Sequence, residues 1–295
     1  MAQNIAVFGL GSMGFGIAQS LLRAGHKVWG HDINPDAVAR FRGDGGQEGD
    51  PDPASVDTVV VVVLNAAQTE AVLFGADGIV PGLREGASVI SCATVPPDFA
   101  RDMASRCAER DVHYLDAPIS GGSVKAAQGK LSVMAGGTTE AFAAARPALD
   151  AMAETVFELG EVGAGSAMKA VNQLLAGVHI ATMAEALTFG ITQGVTPEKF
   201  VEVISKCAGT SWMLENRAPH IVAGDYTPHS AVNIWLKDLG IVLDIAKSAK
   251  FSAPVTAAAL QQFVAAAGQG LGGEDDAAVA KVYARNTGLT LPGEA

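Results

Sequence analysis

The sequence has few cysteines, and their spacing does not suggest that they act together. Cys92, Cys107 and Cys207 are odd in number and lie far apart in the chain. Neither a disulfide framework nor a cysteine-bound metal fits this spacing, and such cysteine use favours a reducing cytosol. We therefore expect all three to be small core residues. The six histidines show no metal-ligand spacing either, so the sequence predicts no metal site.

Positive charge is also scarce. The formal net charge is −11 at pH 7, from 31 acidic and 20 basic residues. A nucleic-acid-binding protein needs a basic surface to meet phosphates, so this balance argues against a nucleic-acid partner. It does not exclude a small anionic substrate, because a few local cations can hold one carboxylate.

Leader and membrane-spanning patterns are missing as well. The first residues contain no basic region followed by a cleavable apolar run, so we predict no signal peptide. No apolar run reaches about 18 residues without a polar interruption, so we predict no transmembrane span and no membrane partner. The longest run covers 59–64 and is typical of a buried strand. These absences favour a cytoplasmic protein.

What is present predicts two domains. With 295 residues, of which 49% are hydrophobic, the chain can bury a sizeable core. Apolar strand-like runs alternate with helical stretches up to about residue 160, which predicts a Rossmann-type, doubly wound parallel sheet of the α/β class. After Gly165 strand patterns nearly vanish, and apolar residues recur at helical spacing. We predict an NAD-binding domain over 1–162 and an all-helical substrate and oligomerisation domain over 163–295.

Individual elements follow from the same patterns. Strands are predicted over 4–10, 27–31, 58–64, 87–91, 112–115, 131–135 and 155–159. Helices are predicted over 67–74, 139–152, 167–193, 197–206, 231–249, 254–267 and 277–284. The longest of them would join the two domains. Segments 211–217 and 224–228 are expected in connections, where Trp212 and Met213 either line a pocket or, more commonly, belong to the core.

A glycine-rich turn follows the first predicted strand and opens a helix. It consists of Gly9, Leu10, Gly11, Ser12, Met13 and Gly14. In this context the glycines let the backbone approach a pyrophosphate, and the helix start offers free N–H groups. Asp32 ends the second strand 18 residues after Gly14, near the roughly 20-residue spacing of an acid that binds ribose hydroxyls.

Asp32 also bears on the choice of cofactor. A 2′-phosphate would meet its carboxylate, and 33–35 contain no Arg or Lys, the first being Arg40. The sequence therefore favours NAD over NADP. Alternatively Asp32 caps the next helix, but Asn34, directly before Pro35, is better placed for that. Asn65 follows the third strand, where ligands sit at the carboxyl edge of a parallel sheet.

Two further segments carry candidate chemistry. Ser120, Gly121 and Gly122 form either a backbone cradle for a carboxylate or, more commonly for Gly-Gly, an ordinary turn. Lys169 lies near the start of the long helix, where a charged lysine is costly, which suits proton transfer. The alternative is a lysine that snorkels to solvent. Asn172 and Gln173 share its helix face.

These residues resemble the β-hydroxyacid dehydrogenase family, which includes 3-hydroxyisobutyrate dehydrogenase and tartronate semialdehyde reductase. The resemblance covers nearly the whole chain, and its four motifs appear in family order: 9–14, 116–122, 163–169 and Lys237-Asp238. It implies that Lys169 is catalytic, that Ser120, Gly121 and Gly122 hold the substrate carboxylate, and that Leu64, Asn65, Thr94 and Lys237 line the cofactor cleft. Without the family, Lys237-Asp238 could equally be a solvated charge pair.

The chain departs from the family at one position. Many members have Asn four residues after the lysine, whereas here Gln173 stands there and Asn172 precedes it. The resemblance therefore leaves open which of the two contacts substrate. It also implies a homodimer or homotetramer built on the long helix.

A finer resemblance, over 172–180, 208–217 and 224–228, is to the L-threonate dehydrogenase branch. It implies NAD-dependent oxidation of a four-carbon sugar acid at C2 to a 2-oxo acid. The alternatives are 3-hydroxyisobutyrate or tartronate semialdehyde as substrate, or a non-catalytic dinucleotide-binding protein of the same fold.

Overall fold

The computed structural model describes residues 2–294 and divides into two compact units. Unit 1 covers Met1–Lys169 and unit 2 covers Ala170–Ala295. This division falls inside the long helix, whereas the sequence predicts a domain boundary between residues 162 and 163. The predicted boundary stays a prediction.

Unit 1 is built on a five-stranded parallel sheet with strand order β2-β1-β3-β4-β5. Its strands are β1 Asn4–Phe8, β2 Lys27–His31, β3 Thr58–Val61, β4 Ser88–Ser91 and β5 His113–Asp116. The helices of this unit are α1 Gly14–Arg23, α2 Pro35–Gly43, α3 Ala66–Phe74, α4 Pro97–Ala108, α5 Gly122–Gln128 and α6 Thr139–Met152. The alternation of parallel strands and helices confirms the predicted α/β class.

The sheet is covered on both faces, as a doubly wound fold requires. On β1, Ile5 and Val7 belong to one buried cluster, while Ala6, between them, belongs to another. Side chains alternate between the faces of a strand, so these two clusters occupy opposite faces. The first includes Leu21 from α1 and Leu149 from α6; the second includes Met103 from α4.

The third strand is shorter than the sequence predicts. The apolar run 58–64 continues to Leu64, but β3 ends at Val61, opposite Phe8 of β1. Val62 N still donates to Phe8 O at 2.8 Å. After Phe8, β1 turns away from β3 through Gly9, whose φ is +97°. The last residues of the apolar run therefore have no β1 residue beside them to pair with. Leu64 is exposed as a result.

A second sheet of three strands completes unit 1. It contains β6 Ile119–Ser120, β7 Leu131–Ala135 and β8 Ala153–Glu158, with β7 antiparallel to β6 and parallel to β8. The sequence predicts β7 and β8 to within about two residues. An isolated bridge between Asp116 and Gly136 links this sheet to the end of β5.

Unit 2 is helical. The long helix α7, Ala164–Thr192, runs across the division into it. The others are α8 Pro197–Ile204, α9 Trp212–Ala223, α10 Val232–Ser248, α11 Pro254–Ala266 and α12 Val279–Thr287. This confirms the predicted helical C-terminal domain.

The prediction that 211–217 is a connection is wrong. The segment begins α9, because Ser211 caps the helix by accepting from Leu214 N at 3.1 Å. Met213 and Leu214 are buried in the helical core, whereas Trp212 is exposed. Pro219 within the helix and the polar neighbours conceal this periodicity in the sequence.

By length and composition alone, α7 could cross a membrane. Its apolar residues do not form one uninterrupted run, because Lys169 and Glu185 break it. The core helices of water-soluble proteins pass the same test, and Ile180, Met183 and Leu187 of α7 are buried in the core of unit 2. The absence of a membrane partner stays a prediction.

The three cysteines do not share one environment. Cys92 and Cys107 are buried, and burial raises the pKa of each thiol to about 12. The expectation that Cys207 is also a core residue is wrong, because it is exposed.

Candidate active site

The glycine-rich turn has the close backbone contacts that its sequence predicts. A Cβ on Gly9 would lie 2.3 Å from Val62 O, and one on Gly14 would lie 1.8 Å from Gly9 O. No other residue type fits at either position. Around Gly11, by contrast, there is open space. The turn therefore packs tightly against the sheet on one side and leaves room for a phosphate at the start of α1 on the other.

Asp32 is tied to the same turn. Its Oδ2 accepts from Leu10 N at 2.6 Å, and its Oδ1 accepts from Asn34 N at 2.8 Å. Asn34 caps α2 by accepting from Asp36 N at 3.0 Å, which confirms it as the N-cap. A carboxylate oxygen can accept more than one hydrogen bond, so Asp32 retains acceptor capacity for ribose hydroxyls.

A cavity of about 660 Å³ opens beside the turn. Its size lies within the roughly 300–1,000 Å³ usual for small-molecule sites. The lining includes Gly11 and Ser12 of the turn, together with Asn34, Asp36 and Arg40. The Arg40 guanidinium carbon lies 3.8 Å from the centre of the Phe15 ring. Open backbone, an acid and a cavity of this size fit an NAD dinucleotide.

Leu64, Asn65 and Thr94 follow two adjacent parallel strands, β3 and β4. Asn65 Oδ1 caps α3 by accepting from Gln68 N at 2.9 Å. Gln68 Oε1 in turn accepts from Leu64 N at 2.8 Å. Because both strands end at the same sheet edge, the residues that follow them lie where α/β folds bind ligands.

The Ser120–Gly122 segment is a turn between a strand and a helix. β6 ends at Ser120 and α5 begins at Gly122, with φ of +135° at Gly121 and +76° at Gly122. The first N–H groups of a helix have no intrahelical partner. The turn and cradle interpretations are thus compatible, since a turn that opens a helix can present backbone N–H groups to a ligand.

Lys169 lies beside that turn. Its Nζ donates to Ile119 O at 2.9 Å, and the residue is only 8% exposed. The snorkelling alternative is therefore wrong, because the amine is held inside unit 1 rather than in solvent. The contact brings Lys169 next to Ser120, the residue that follows Ile119.

Asp116 organises the start of the helix that carries Lys169. Its Oδ2 accepts from Gly163 N at 3.0 Å and Ser166 N at 2.8 Å, and its Oδ1 accepts from Ser166 Oγ at 2.6 Å. Burial raises the pKa of Asp116, and the hydrogen bonds from Ser166 oppose that rise. A Cβ on Gly165 would lie 2.3 Å from Asp116 O, so glycine permits this close packing.

Unit 2 contains a connected row of polar side chains. Asn172 Nδ2 donates to Gln173 Oε1 at 2.9 Å, and Gln173 Nε2 donates to Asp238 Oδ2. Asp238 Oδ1 lies 2.8 Å from Lys237 Nζ. Asp238 is 3% exposed, so the alternative of a solvated charge pair is wrong for the acid. The row holds Gln173 in a fixed orientation.

Three residues of these networks were not among the sequence-based candidates: Asp116, Ser166 and Asp238. Asp116 opens one of the family motifs and Asp238 closes another, yet Asp116 binds Ser166, 50 residues away in the chain, and Asp238 binds Gln173, 65 residues away. Asp116 and Asp238 are recognisable in the sequence as acids inside apolar segments. Within residues 2–294, no group of three or more His, Cys, Asp or Glu side chains is placed to hold a metal ion.

Two family models match the chain. Residues 4–160 match the NAD binding domain of 6-phosphogluconate dehydrogenase. Residues 163–283 match the model described as the NAD-binding domain of NADP-dependent 3-hydroxyisobutyrate dehydrogenase. Together they cover both structural units.

Curated relatives and a solved structure agree with these models. The chain is 51% identical to an L-threonate dehydrogenase of Cupriavidus necator over 100% of both chains. It is 45% identical to that of Escherichia coli K12, covering 98% of this chain and 97% of the relative. A crystal structure of 3-hydroxyisobutyrate dehydrogenase from Salmonella typhimurium superposes with a TM-score of 0.89 at 43% identity, covering 95% and 99% of the two chains.

The glycine turn with its acid, the lysine beside the Ser120–Gly122 turn and these full-length matches lead to one conclusion. The chain belongs to the β-hydroxyacid dehydrogenase family and is an NAD-dependent hydroxyacid dehydrogenase.

Proposed function

We propose that this enzyme oxidises L-threonate, or a closely similar four-carbon sugar acid, at C2 to the 2-oxo acid. Full-length identity of up to 51% to proteins named L-threonate dehydrogenase supports the substrate. The observation that carries the chemistry is the position of Lys169 Nζ, 2.9 Å from the carbonyl that precedes the Ser120–Gly122 turn.

Lys169, the Ser120–Gly122 turn and the amides on α7 have separate roles in the proposed reaction. The substrate carboxylate binds the N–H groups of Gly121 and Gly122 and the hydroxyl of Ser120. Lys169, neutral when productive, takes the proton of the reacting hydroxyl. Gln173 or Asn172, four and three residues further along the same helix, orients that hydroxyl. The nicotinamide ring of bound NAD would supply the acceptor for the hydride.

The cofactor is assigned to the glycine turn and the neighbouring strand ends. The proposed contacts are Gly9, Leu10, Gly11, Ser12, Met13, Gly14, Asp32, Leu64, Asn65, Thr94 and Lys237. Asp32 favours NAD because its carboxylate would repel a 2′-phosphate. Arg40, which lines the nearby cavity, is the cation that would have to offset that repulsion.

A substrate panel tests the proposal. Rates on L-threonate, 3-hydroxyisobutyrate and glycerate are compared with NAD and with NADP, by the absorbance of the reduced cofactor. We expect the highest kcat/KM with L-threonate and NAD. A higher value with 3-hydroxyisobutyrate would favour the second candidate, which the solved relative from Salmonella typhimurium supports. Silence on every acid would favour a non-catalytic dinucleotide-binding protein.

We further propose a homodimer or homotetramer in the cytoplasm. Met168, Val171, Leu175 and Phe189 are exposed apolar residues on α7. The first three are spaced by three and four residues and so form a stripe on one face of the helix, which a second copy of the chain would cover. Light scattering coupled to gel filtration should give an oligomer, and Leu175→Glu should shift it toward monomer. A wild-type monomer at micromolar concentration would contradict this.

A further inference from the structure

We propose that Asp116 is a positioning residue, which fixes Lys169 against the substrate turn by holding the first turn of α7. This rests on the proposed role of Lys169. Asp116 links β5 to the helix that carries Lys169. It is the last residue of β5, and its side chain accepts hydrogen bonds from the start of α7. Its backbone N and O also pair with Gly136 O and N, at 3.0 and 2.9 Å, so its own position is fixed.

The side chain of Asp116 accepts hydrogen bonds from three polar groups where α7 begins. The N–H groups of a first helical turn have no partner within the helix. Asp116 Oδ2 accepts from two N–H groups there, those of Gly163 and Ser166, and its Oδ1 accepts from the Ser166 hydroxyl. Both side chains are nearly inaccessible, at 1% and 2% exposure, so water cannot easily replace either partner.

Lys169 follows Ser166 by three residues, so it lies on the same face of the helix one turn further on. Its Nζ contacts Ile119 O, and Ile119 is three residues after Asp116. Two links therefore join the same two segments: Asp116 to Ser166, and Ile119 to Lys169. If the first link is lost, the helix start is free to shift, and the amine shifts with it. A displacement of about 1 Å can reduce catalysis roughly a hundredfold.

Three variants should lower kcat by different amounts, according to how many hydrogen bonds each removes. Asp116→Ala removes all three hydrogen bonds, and we expect kcat to fall about tenfold to hundredfold while the Kd for NAD stays within about twofold. Asp116→Asn can keep all three contacts, because its carbonyl accepts from both N–H groups and its NH₂ donates to Ser166 Oγ. We expect it to retain about a third or more of kcat. Ser166→Ala, which loses one bond, should lower kcat about threefold.

A merely structural role would also lower activity, so each variant is repeated in a Lys169→Ala background. If Asp116 acts through Lys169, Asp116→Ala should change the residual turnover of Lys169→Ala by no more than about twofold. An equal fold-loss in both backgrounds would overturn the positioning role, as would normal kcat for Asp116→Ala alone. If Asp116→Ala does not fold, Ser166→Ala gives the same decision: a loss in the wild-type background only supports the role, and an equal loss or no loss overturns it.

The outcomes separate this inference from the function on which it rests. Normal turnover by Lys169→Ala would contradict the proposed chemistry. An impaired Lys169→Ala with a normal Asp116→Ala would leave the chemistry intact and remove only the role of Asp116.

Discussion

The two units place their candidate residues by different means. In unit 1 most candidates lie in turns after strands, where the proposed binding groups are backbone N–H groups, as at Gly11 and Gly121. Lys169 is the exception, because it lies on α7. In unit 2 they lie on helix faces, where Gln173 and Asp238 rely on side-chain hydrogen bonds. Both units nevertheless use a buried acid to hold a helix residue: Asp116 binds the start of α7, and Asp238 binds Gln173. Turns bounded by glycine are visible in a sequence, whereas side-chain networks between distant segments are not.

The largest predicted difference is in the free energy of unfolding of two glycine-to-alanine variants, one in each unit. A Cβ on Gly165 would lie 2.3 Å from Asp116 O and 2.5 Å from Met134 O, whereas around Gly240 of α10 there is open space. We expect Gly165→Ala to lower the free energy of unfolding by about 2–3 kcal/mol, because backbone atoms must move. Gly240→Ala should raise it by about 0.5–1 kcal/mol, since alanine favours a helix.

Denaturant titration of both variants measures this difference. Equal changes in the free energy of unfolding would contradict the comparison. They would show that the tight packing of α7 against β5 does not make Gly165 less tolerant of a side chain than Gly240.

A smaller effect should distinguish the two amides of unit 2. Gln173 is buried and donates a hydrogen bond to Asp238, while Asn172 is partly buried and donates one to Gln173. We expect Gln173→Ala to lower kcat/KM about 30-fold, because it removes a preorganised group and one partner of a buried carboxylate. Asn172→Ala should stay within about fivefold. Steady-state kinetics on L-threonate decides, and a larger loss for Asn172→Ala would assign the substrate contact to that residue instead.

The smallest of the three effects concerns the cofactor site of unit 1. Asp32→Ser should weaken NAD binding about tenfold and reduce the preference over NADP, because a neutral hydroxyl replaces the charged ribose acceptor and the charge that repels a 2′-phosphate is lost. Asp36→Ala is the matched control, since it removes an acid that lines the cavity beside the glycine turn, whereas Asp32 accepts a hydrogen bond from the turn itself. Calorimetric titration with each dinucleotide measures both variants. Equal effects would mean that general charge, rather than the position of Asp32, sets the preference.

The sequence predicts the main elements of both units and most of the candidate site. The glycine turn, Asp32 and the α6 limits follow from local patterns, because the chemistry lies within a few adjacent residues. The end of β3 at Val61 does not, since it depends on where the neighbouring strand turns away. Likewise α9 is concealed by Pro219. The role of Asp116 needs three-dimensional information, because Gly163 and Ser166 lie about 50 residues further along the chain.

The most direct test of the account is the turnover of Lys169→Ala, measured together with its Kd for NAD. The account predicts a loss of about two orders of magnitude or more in kcat on L-threonate, because the proton acceptor is gone. The Kd for NAD should stay near that of the wild type, because the glycine turn and Asp32 are untouched. Turnover within a fewfold of wild type would contradict the assignment of Lys169 as the base.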